Sequence, residues 1–158
     1  GGYKCTCTSP TLKDGSHTIS VKASDNDGNA AAAKTATFTV DTVPPTLQIT
    51  APSNDLITNK KTVTVSGKTD DVSSKPVTVT VSGVTVTVGT DGTFTKDVTL
   101  VEGANTITIV AKDKAGKTTK VTRKVTVDTS APVIKSATLT PNPVDCGKTF
   151  IIAVEITD

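Results

Sequence analysis

Apolar and hydroxyl-bearing residues alternate along most of the chain. Four runs alternate strictly, at 62–65, 77–81, 84–88 and 106–109. Successive side chains of a β-strand point to opposite faces, so each run predicts a strand with an aliphatic face on a core and a threonine face in water. No window shows the 3.6-residue period of an amphipathic helix. The pattern therefore predicts an all-β protein.

Turn dipeptides that contain glycine separate the strand-like runs. Several short strands at this spacing predict a sandwich of two β-sheets rather than one extended sheet. The dipeptides are Asp14-Gly15, Asp27-Gly28, Ser82-Gly83, Asp91-Gly92, Glu102-Gly103 and Ala115-Gly116.

The sequence repeats itself with a period of about 87 residues, the length of one small sandwich domain. Residues 12–29 match residues 100–117, and residues 61–71 match residues 148–158. A Val-Asp-Thr-x-x-Pro linker recurs at Val40 and at Val127, and its proline separates one strand ladder from the next domain. Only the middle copy is complete. The predicted units are the C-terminal half of a repeat at 1–43, a complete repeat at 44–129 and the N-terminal half of a repeat at 130–158.

The composition excludes several classes of protein. Thr (33) and Val (21) supply about a third of the 158 residues, whereas Met and Trp are absent, which argues against a helical bundle. Lys and Arg (17) nearly balance Asp and Glu (15), and one Tyr and three Phe leave little to stack on bases, so no nucleic-acid binding is expected. No apolar stretch approaches the roughly 20 residues of a membrane span, so no membrane insertion is expected. Because the chain opens at Gly1 and has no Met, we expect a mature piece or an excerpt of a longer protein.

No motif for catalysis is present, and the chain is therefore predicted not to be an enzyme. The one histidine, His17, lies in an alternating run without a nucleophile motif, which indicates an ordinary strand residue. The segment 25–29 superficially resembles the start of an EF-hand loop. Ala30 stands where that loop needs glycine, however, and no Glu closes it.

The segment 105–116, Asn-Thr-Ile-Thr-Ile-Val-Ala-Lys-Asp-Lys-Ala-Gly, is followed by an alternating strand and the Val-Asp-Thr-x-x-Pro linker. This pattern resembles bacterial immunoglobulin-like repeats, and the resemblance extends over essentially the whole chain. It implies tandem immunoglobulin-like β-sandwich domains, one complete and two partial, with a core of Val, Ile, Leu and Phe94. On this fold the strands of the middle copy are expected near 47–50, 61–66, 77–81, 84–88, 93–100, 105–112 and 120–127.

Aspartates gather at the predicted domain junctions. In an immunoglobulin-like sandwich the chain enters at the pole that carries the B–C and F–G loops, which would bring together the linker Asp41, one or both of Asp70 and Asp71, and Asp113. Clustered carboxylates repel each other unless a cation lies among them, and hard oxygen ligands suit Ca²⁺. The resemblance adds that similar adhesin repeats hold Ca²⁺ at their junctions. The alternative is that these are solvated turn and capping aspartates.

The other two copies repeat parts of this layout. Asp128 and Asp158 occupy the corresponding places at the next junction, and Asp25 and Asp27 lie in the corresponding loop of the first half-copy. The predicted set of metal ligands therefore extends to these four residues.

The chain has three cysteines, Cys5, Cys7 and Cys146. Cys5 and Cys7 are two residues apart on a predicted strand, so they share a face and cannot easily bond to each other. Cys146 precedes a strand that neighbours theirs in the fold, so a disulfide between the tail of one chain and the head of another is one hypothesis. The other hypothesis is that all three are small side chains that form no disulfide.

The resemblance implies a structural role, namely a spacer in a secreted or cell-surface bacterial protein such as an adhesin, with neighbouring repeats as its partners. Two alternatives stay open. In one, the half-domains at the two ends complement each other between chains, and the protein assembles head to tail into an extracellular filament. In the other, the segment is an accessory module of a secreted carbohydrate-active enzyme, although its scarcity of aromatics disfavours direct sugar binding.

Overall fold

The structure is a computed structural model that describes residues 6, 8, 10–140, 142–143 and 146–158. These residues form twelve β-strands and contain no helix, as the alternating pattern predicts, and none of them lies in a helix able to cross a membrane. The strands are β1 (Gly15–Val21), β2 (Lys34–Val40), β3 (Thr46–Ala51), β4 (Leu56–Thr58), β5 (Thr62–Asp70), β6 (Thr78–Val81), β7 (Val84–Val86), β8 (Thr93–Thr99), β9 (Gly103–Lys112), β10 (Thr118–Val127), β11 (Val133–Thr140) and β12 (Ile151–Thr157).

Strands β3 to β10 form a sandwich of two sheets. One sheet has the order β3-β5-β8, and the other has the order β4-β10-β9-β6-β7. All strand pairs are antiparallel except β4 with β10, which pair in parallel over three residues. The two sheets enclose the core of the middle repeat.

All seven strands expected in the middle repeat are present, with bounds that differ by a few residues. The extra strand β4, which pairs in parallel with β10, was not predicted. Strand β4 has three residues and is separated from β3 by a bend at Pro52 and a turn at Asn54 and Asp55. Its partner β10 lies about 70 residues away, so no local pattern of alternation marks the pairing.

The core consists of the inward-facing residues of these strands. Phe94 is its one aromatic member, as expected, and the rest are aliphatic because the strands alternate small β-branched residues with threonines. Each buried Val or Ile side chain contributes roughly 1.5–3 kcal/mol relative to its exposed state. The buried core residues are Val65, Val79, Val81, Val86, Phe94, Leu100, Ile107, Ile109, Ala111, Val125 and Val127.

Two hairpins lie outside the sandwich, β1 with β2 and β11 with β12. The first pairs Gly15 with Val40, and the matching hairpin of the middle repeat pairs Gly103 with Val127. Neither outer hairpin has a second sheet against its apolar face among the described residues, and large side chains stay exposed there. They include Ile19, Val21 and Phe38 on one hairpin and Phe150, Ile152, Val154 and Ile156 on the other.

Candidate metal centre

Asp41 lies in the linker that joins the first hairpin to the sandwich. It follows the last residue of β2 directly, and its Oδ1 accepts a hydrogen bond from the backbone N–H of Val43 at 3.0 Å. This contact closes an Asx turn, a local conformation that aspartate favours just before a proline-containing linker. The turn fixes one carboxylate oxygen and leaves the other to point elsewhere.

Asp71 follows β5 at the start of the loop that leads to β6. Its Oδ1 accepts the backbone N–H groups of Ser73 and Ser74, both at 2.8 Å, and the Ser73 hydroxyl at 3.2 Å. Burial raises the pKa of Asp71, but the hydrogen bonds from Ser73 and Ser74 outweigh it, and the net pKa lies below the ordinary value. The loop therefore holds Asp71 as a charged carboxylate.

Asp113 follows β9 at the start of the loop that leads to β10. Its Oδ1 accepts the backbone N–H of Lys117 at 2.8 Å. Its own carbonyl accepts the N–H of Gly116, whose φ of +91° belongs to the left-handed region that glycine adopts without strain. The Asp-Lys-Ala-Gly sequence thus closes a tight loop that presents the aspartate at the end of the sheet.

The three aspartates come together at one pole of the sandwich. One carboxylate oxygen from each lies within 4.8 Å of those of the other two. The residues are 8%, 5% and 5% exposed for Asp41, Asp71 and Asp113. In all three, Oδ2 is buried and has no hydrogen-bond partner, and the triad forms no ion pair with any described residue.

Such an arrangement is costly without a counter-charge. Two unit charges 4 Å apart repel by about 4 kcal/mol at the effective dielectric constant near a protein surface. A buried carboxylate oxygen without a partner adds its own desolvation penalty. In each residue Oδ1 accepts a backbone hydrogen bond and Oδ2 is buried without a partner, so the fold gathers three incompletely satisfied carboxylates at one pole.

The donor set suits a hard divalent cation. Ca²⁺ takes carboxylate and carbonyl oxygens and tolerates irregular geometry, and three carboxylates more than balance its charge. With His or Cys absent from the group, nothing in it favours Zn²⁺ or a softer metal. Asp41, Asp71 and Asp113 are the residues that would hold the ion, each through a carboxylate oxygen.

The sequence left open whether Asp70, Asp71 or both belong to the cluster, and the structure places Asp71 there. Asp70 is exposed and forms an ion pair with Lys75, at 2.9 Å between carboxylate oxygen and Nζ. This contact lowers the pKa of Asp70. Asp70 therefore already has a counter-charge from the protein.

The second junction is built only in part. Asp128 Oδ1 accepts the backbone N–H of Ser130 at 3.0 Å, which reproduces the Asx turn of Asp41 in the first linker. Asp128 and Asp158 are both exposed, and within the described chain neither belongs to a group of three potential ligands.

The loop of the first half-copy that matches the Asp113 loop has both oxygens of its aspartate hydrogen-bonded. Asp25 Oδ1 accepts the backbone N–H groups of Asp27 and Asn29, as Asp113 Oδ1 does that of Lys117. The Asn29 side-chain amide also donates to Asp25 Oδ2 at 2.8 Å, so the second oxygen is occupied. Asp25 and Asp27 are exposed and lie outside the described carboxylate group.

Of the three cysteines, Cys5 and Cys7 lie outside the described residues, so the disulfide hypothesis stays a prediction. Cys146 is exposed and forms no disulfide within the described part of the chain. His17 is a strand residue of β1, as expected, and its Nε2 donates to the Lys13 carbonyl at 2.7 Å.

Ser73 and Ser74 contact the site and were not identified from the sequence. The available signal is the Asp-Val-Ser-Ser segment at 71–74, since aspartate followed by serine two residues later favours an Asx turn. That signal predicts the local turn. It does not predict that Ser74 reaches the loop of Asp113, which depends on how the two sheets pack.

Comparisons with known proteins agree with this fold. Residues 45–129 match the family profile described as glucodextranase, domain B, and residues 1–42 match that of a bacterial Ig-like domain. Bacillopeptidase F of Bacillus subtilis (strain 168) is 36% identical over 125 residues, which are 78% of this chain and 8% of that protein. The chain therefore spans a small part of the curated relative that it matches.

Two solved structures are also similar. The fibronectin(III)-like modules of Clostridium thermocellum CbhA align with a TM-score of 0.43 and 22% identity, over 73% of this chain and 63% of that one. A tetra-tandem repeat from the extending region of a large adhesion protein aligns with a TM-score of 0.45 and 24% identity, over 90% of this chain and 45% of that one.

Proposed function

The chain belongs to the glucodextranase domain B family, and from this premise we propose that it is a non-enzymatic structural segment of an extracellular bacterial protein. In this proposal the immunoglobulin-like repeats space other parts of the protein, and a bound Ca²⁺ fixes the junction between the first half-repeat and the middle repeat. The ion is held by Asp41, Asp71 and Asp113.

The observation that carries the proposal is the set of three buried Oδ2 atoms without hydrogen-bond partners. A solvated turn aspartate would be exposed, as Asp25 and Asp70 are. In each of three separate segments, backbone N–H groups donate to the aspartate Oδ1, and Oδ2 is buried without a partner in a group of three carboxylates. A cation removes the repulsion and satisfies all three oxygens at once.

The position of Asp41 gives the ion a structural role. Asp41 belongs to the linker, whereas Asp71 and Asp113 belong to loops of the middle repeat. A groove beside the cluster is lined by β2 residues, including Phe38, together with Ser74 and Ala115 of the two loops. An ion bound to all three carboxylates therefore ties the linker to the sandwich and limits bending at the junction.

The kind of host protein is a separate question. Immunoglobulin-like families are typically non-catalytic modules, and the match of residues 1–42 to a bacterial Ig-like domain supports a repeat on each side of the linker. The names glucodextranase and bacillopeptidase F belong to those proteins, and they support a variant of the proposal in which this segment is an accessory module attached to a secreted enzyme.

Calcium titration of the intact chain tests the proposal. In a metal-free buffer, adding Ca²⁺ should give heat in calorimetry and raise the melting temperature. Asp71→Asn should abolish both responses, whereas the neighbouring Asp70→Asn should keep them because Asp70 lies outside the cluster and pairs with Lys75. Absence of heat and of any thermal shift in the unmodified chain would contradict the cation site.

A second candidate function is head-to-tail self-assembly, which the apolar faces of the two outer hairpins favour. Ile19 and Ile152 are 52% and 62% exposed, and the matching residues of the middle repeat, Ile107 and Val65, face each other's sheets in its core. A tail hairpin docked on the head of another chain would cover both faces. Long polymers in light scattering that shorten when residues 131–158 are deleted would support this function, and a stable monomer would exclude it.

A further inference from the structure

Ser74 makes contacts on both loops of the carboxylate cluster. Its backbone N–H donates to Asp71 Oδ1 at 2.8 Å. Its hydroxyl accepts a hydrogen bond from the backbone N–H of Ala115 at 2.9 Å, and its carbonyl accepts one from Lys114 at 3.3 Å. The residue is 8% exposed, so these bonds are shielded from water.

The loop that starts at Asp71 is held beside the Asp113 loop by strand pairing only at its far end, where Thr78 of β6 pairs with Lys112 of β9, and not at the end that carries Asp71. Asp71 follows β5 in the three-stranded sheet, and Asp113 follows β9 in the five-stranded sheet. Interdigitating side chains set the separation of packed sheets, whereas a binding site must be held to within about 0.5 Å of its productive geometry. Ser74 supplies direct hydrogen bonds between the loops at the point where the carboxylates must converge.

We propose that Ser74 is a positioning residue of the cation site, whose hydroxyl ties the Asp71 loop to the Asp113 loop and so sets the distance between the two carboxylates. The inference rests on the proposed function, because that distance affects only a cation bound between them. Residues that orient metal ligands without touching the metal commonly change affinity by tenfold or more.

The neighbouring Ser73 does not play this part. Its hydroxyl and its backbone N–H both contact Asp71 Oδ1, so it acts within a single loop. The backbone N–H of Ser74 maintains the turn around Asp71, whereas its hydroxyl and its carbonyl contact Ala115 and Lys114 of the other loop. Replacing the side chain therefore removes the shorter of the two hydrogen bonds between the loops and leaves the turn and the Lys114 contact in place.

The test compares Ca²⁺ affinity in Ser74→Ala, Ser74→Thr and Ser66→Ala by calorimetry on the full chain, together with the calcium-free melting temperature. Ser66 is the matched control because its hydroxyl contacts Thr50 between β3 and β5 and belongs to neither loop of the cluster. We expect Ser74→Ala to bind Ca²⁺ about tenfold more weakly. Ser74→Thr keeps the hydroxyl, so its Ca²⁺ affinity should stay within about twofold of that of the unmodified chain. The affinity of Ser66→Ala should equal that of the unmodified chain.

The outcomes separate the two proposals. If the unmodified chain binds Ca²⁺ and Ser74→Ala binds it equally well, the role of Ser74 is wrong and the cation site stands. If the unmodified chain does not bind Ca²⁺, both proposals fail. If Ser74→Ala does not fold without calcium, Ser74→Cys under reducing conditions replaces it, because a thiol is of similar size but accepts hydrogen bonds weakly. An unchanged Ca²⁺ affinity of Ser74→Cys would overturn the inference.

Discussion

The hairpin β9–β10 and the hairpin β1–β2 are two copies of one sequence pattern in different surroundings. Both have the same strand register, and both close their loops with a hydrogen bond from glycine to the carbonyl of the aspartate three residues earlier. Ile107 is 1% exposed in the first hairpin, whereas its counterpart Ile19 is 52% exposed in the second. Hairpin geometry is therefore a local property of the sequence, and burial depends on the opposite sheet.

The loops of the same two hairpins differ in a second respect. Asn29 donates its side-chain amide to Asp25 Oδ2, whereas Lys117 stands at the matching position and Asp113 Oδ2 has no partner. One residue decides whether the second carboxylate oxygen is occupied within its own loop or is free for a ligand. The two loops share one conformation, so that conformation alone does not identify a metal ligand.

The largest expected difference between the two hairpins is in the stability lost when the matching isoleucine of each is replaced by alanine. Ile107→Ala should lower the free energy of unfolding by about 3 kcal/mol, because it leaves a cavity in a closed core. Ile19→Ala should change it by less than about 0.5 kcal/mol, since the side chain is half-exposed. Denaturant unfolding followed by far-UV circular dichroism measures both. Equal losses would show that the first hairpin is covered in solution.

Neutralising the two loop aspartates should separate their roles. At a Ca²⁺ concentration of 100 times the dissociation constant, binding stabilises a folded protein by about 2.7 kcal/mol. Asp113→Asn should lose this stabilisation, and in calcium-free buffer it should be at least as stable as the unmodified chain because one repelling charge is gone. Asp25→Asn should keep the full calcium response. Thermal scans with and without Ca²⁺ give both values, and a lost response in Asp25→Asn would place that loop in the site.

Gly67 in β5 and Val154 in β12 occupy matching positions, and they should respond in opposite ways to alanine. A Cβ at Gly67 would meet the backbone oxygen of Gln48 and would lie 2.8 Å from Phe94 Cζ. Gly67→Ala should therefore destabilise the middle repeat by about 2 kcal/mol through overpacking. Val154 is 48% exposed, so Val154→Ala should cost less than about 0.5 kcal/mol. Denaturation midpoints compare the two variants, and a neutral Gly67→Ala would mean that the sheet shifts to accept the methyl group.

The smallest effect concerns the acid titration of Asp25. The Asn29 side-chain amide, followed by the backbone N–H groups of the loop, lowers its pKa below the ordinary value of 3.8. A lowered pKa in the folded state means that the contribution of Asp25 to stability is complete above that ordinary value and is lost as the pH falls through the folded pKa. Asn29→Ala should raise the pKa of Asp25 in an NMR titration, and Asn26→Ala should leave it unchanged. An unchanged pKa in Asn29→Ala would show that the amide contact does not form in solution.

The sequence predicts the fold well because the relevant signals are local. Alternation along 105–112 and 120–127, with a turn between them, is enough to predict β9 and β10. The parallel pairing of β4 with β10 was missed because it joins residues about 70 positions apart. A strand of three residues is also too short to show alternation in the sequence. The same limit applies to the site. The immunoglobulin-like topology that the resemblance implies placed Asp41 and Asp113 at one pole, but the choice of Asp71 over Asp70 depends on which side chain of a strand end faces inward.

The parallel pair of β4 and β10 has a mechanical consequence. Tension applied through the two linkers enters the middle repeat at the start of β3 and leaves it at the end of β10, so β4 is pulled against β10 along the strand axis once β3 has separated from β5. Three residue pairs, extended by the Asp128 N–H to Thr58 carbonyl bond, then bear the load together in shear. In the β1–β2 hairpin the pulled ends, Gly15 and Val40, are paired with each other, so its bonds would break one after another. A single short strand at the edge of the sandwich thus makes the middle repeat the part of the chain that resists stretching.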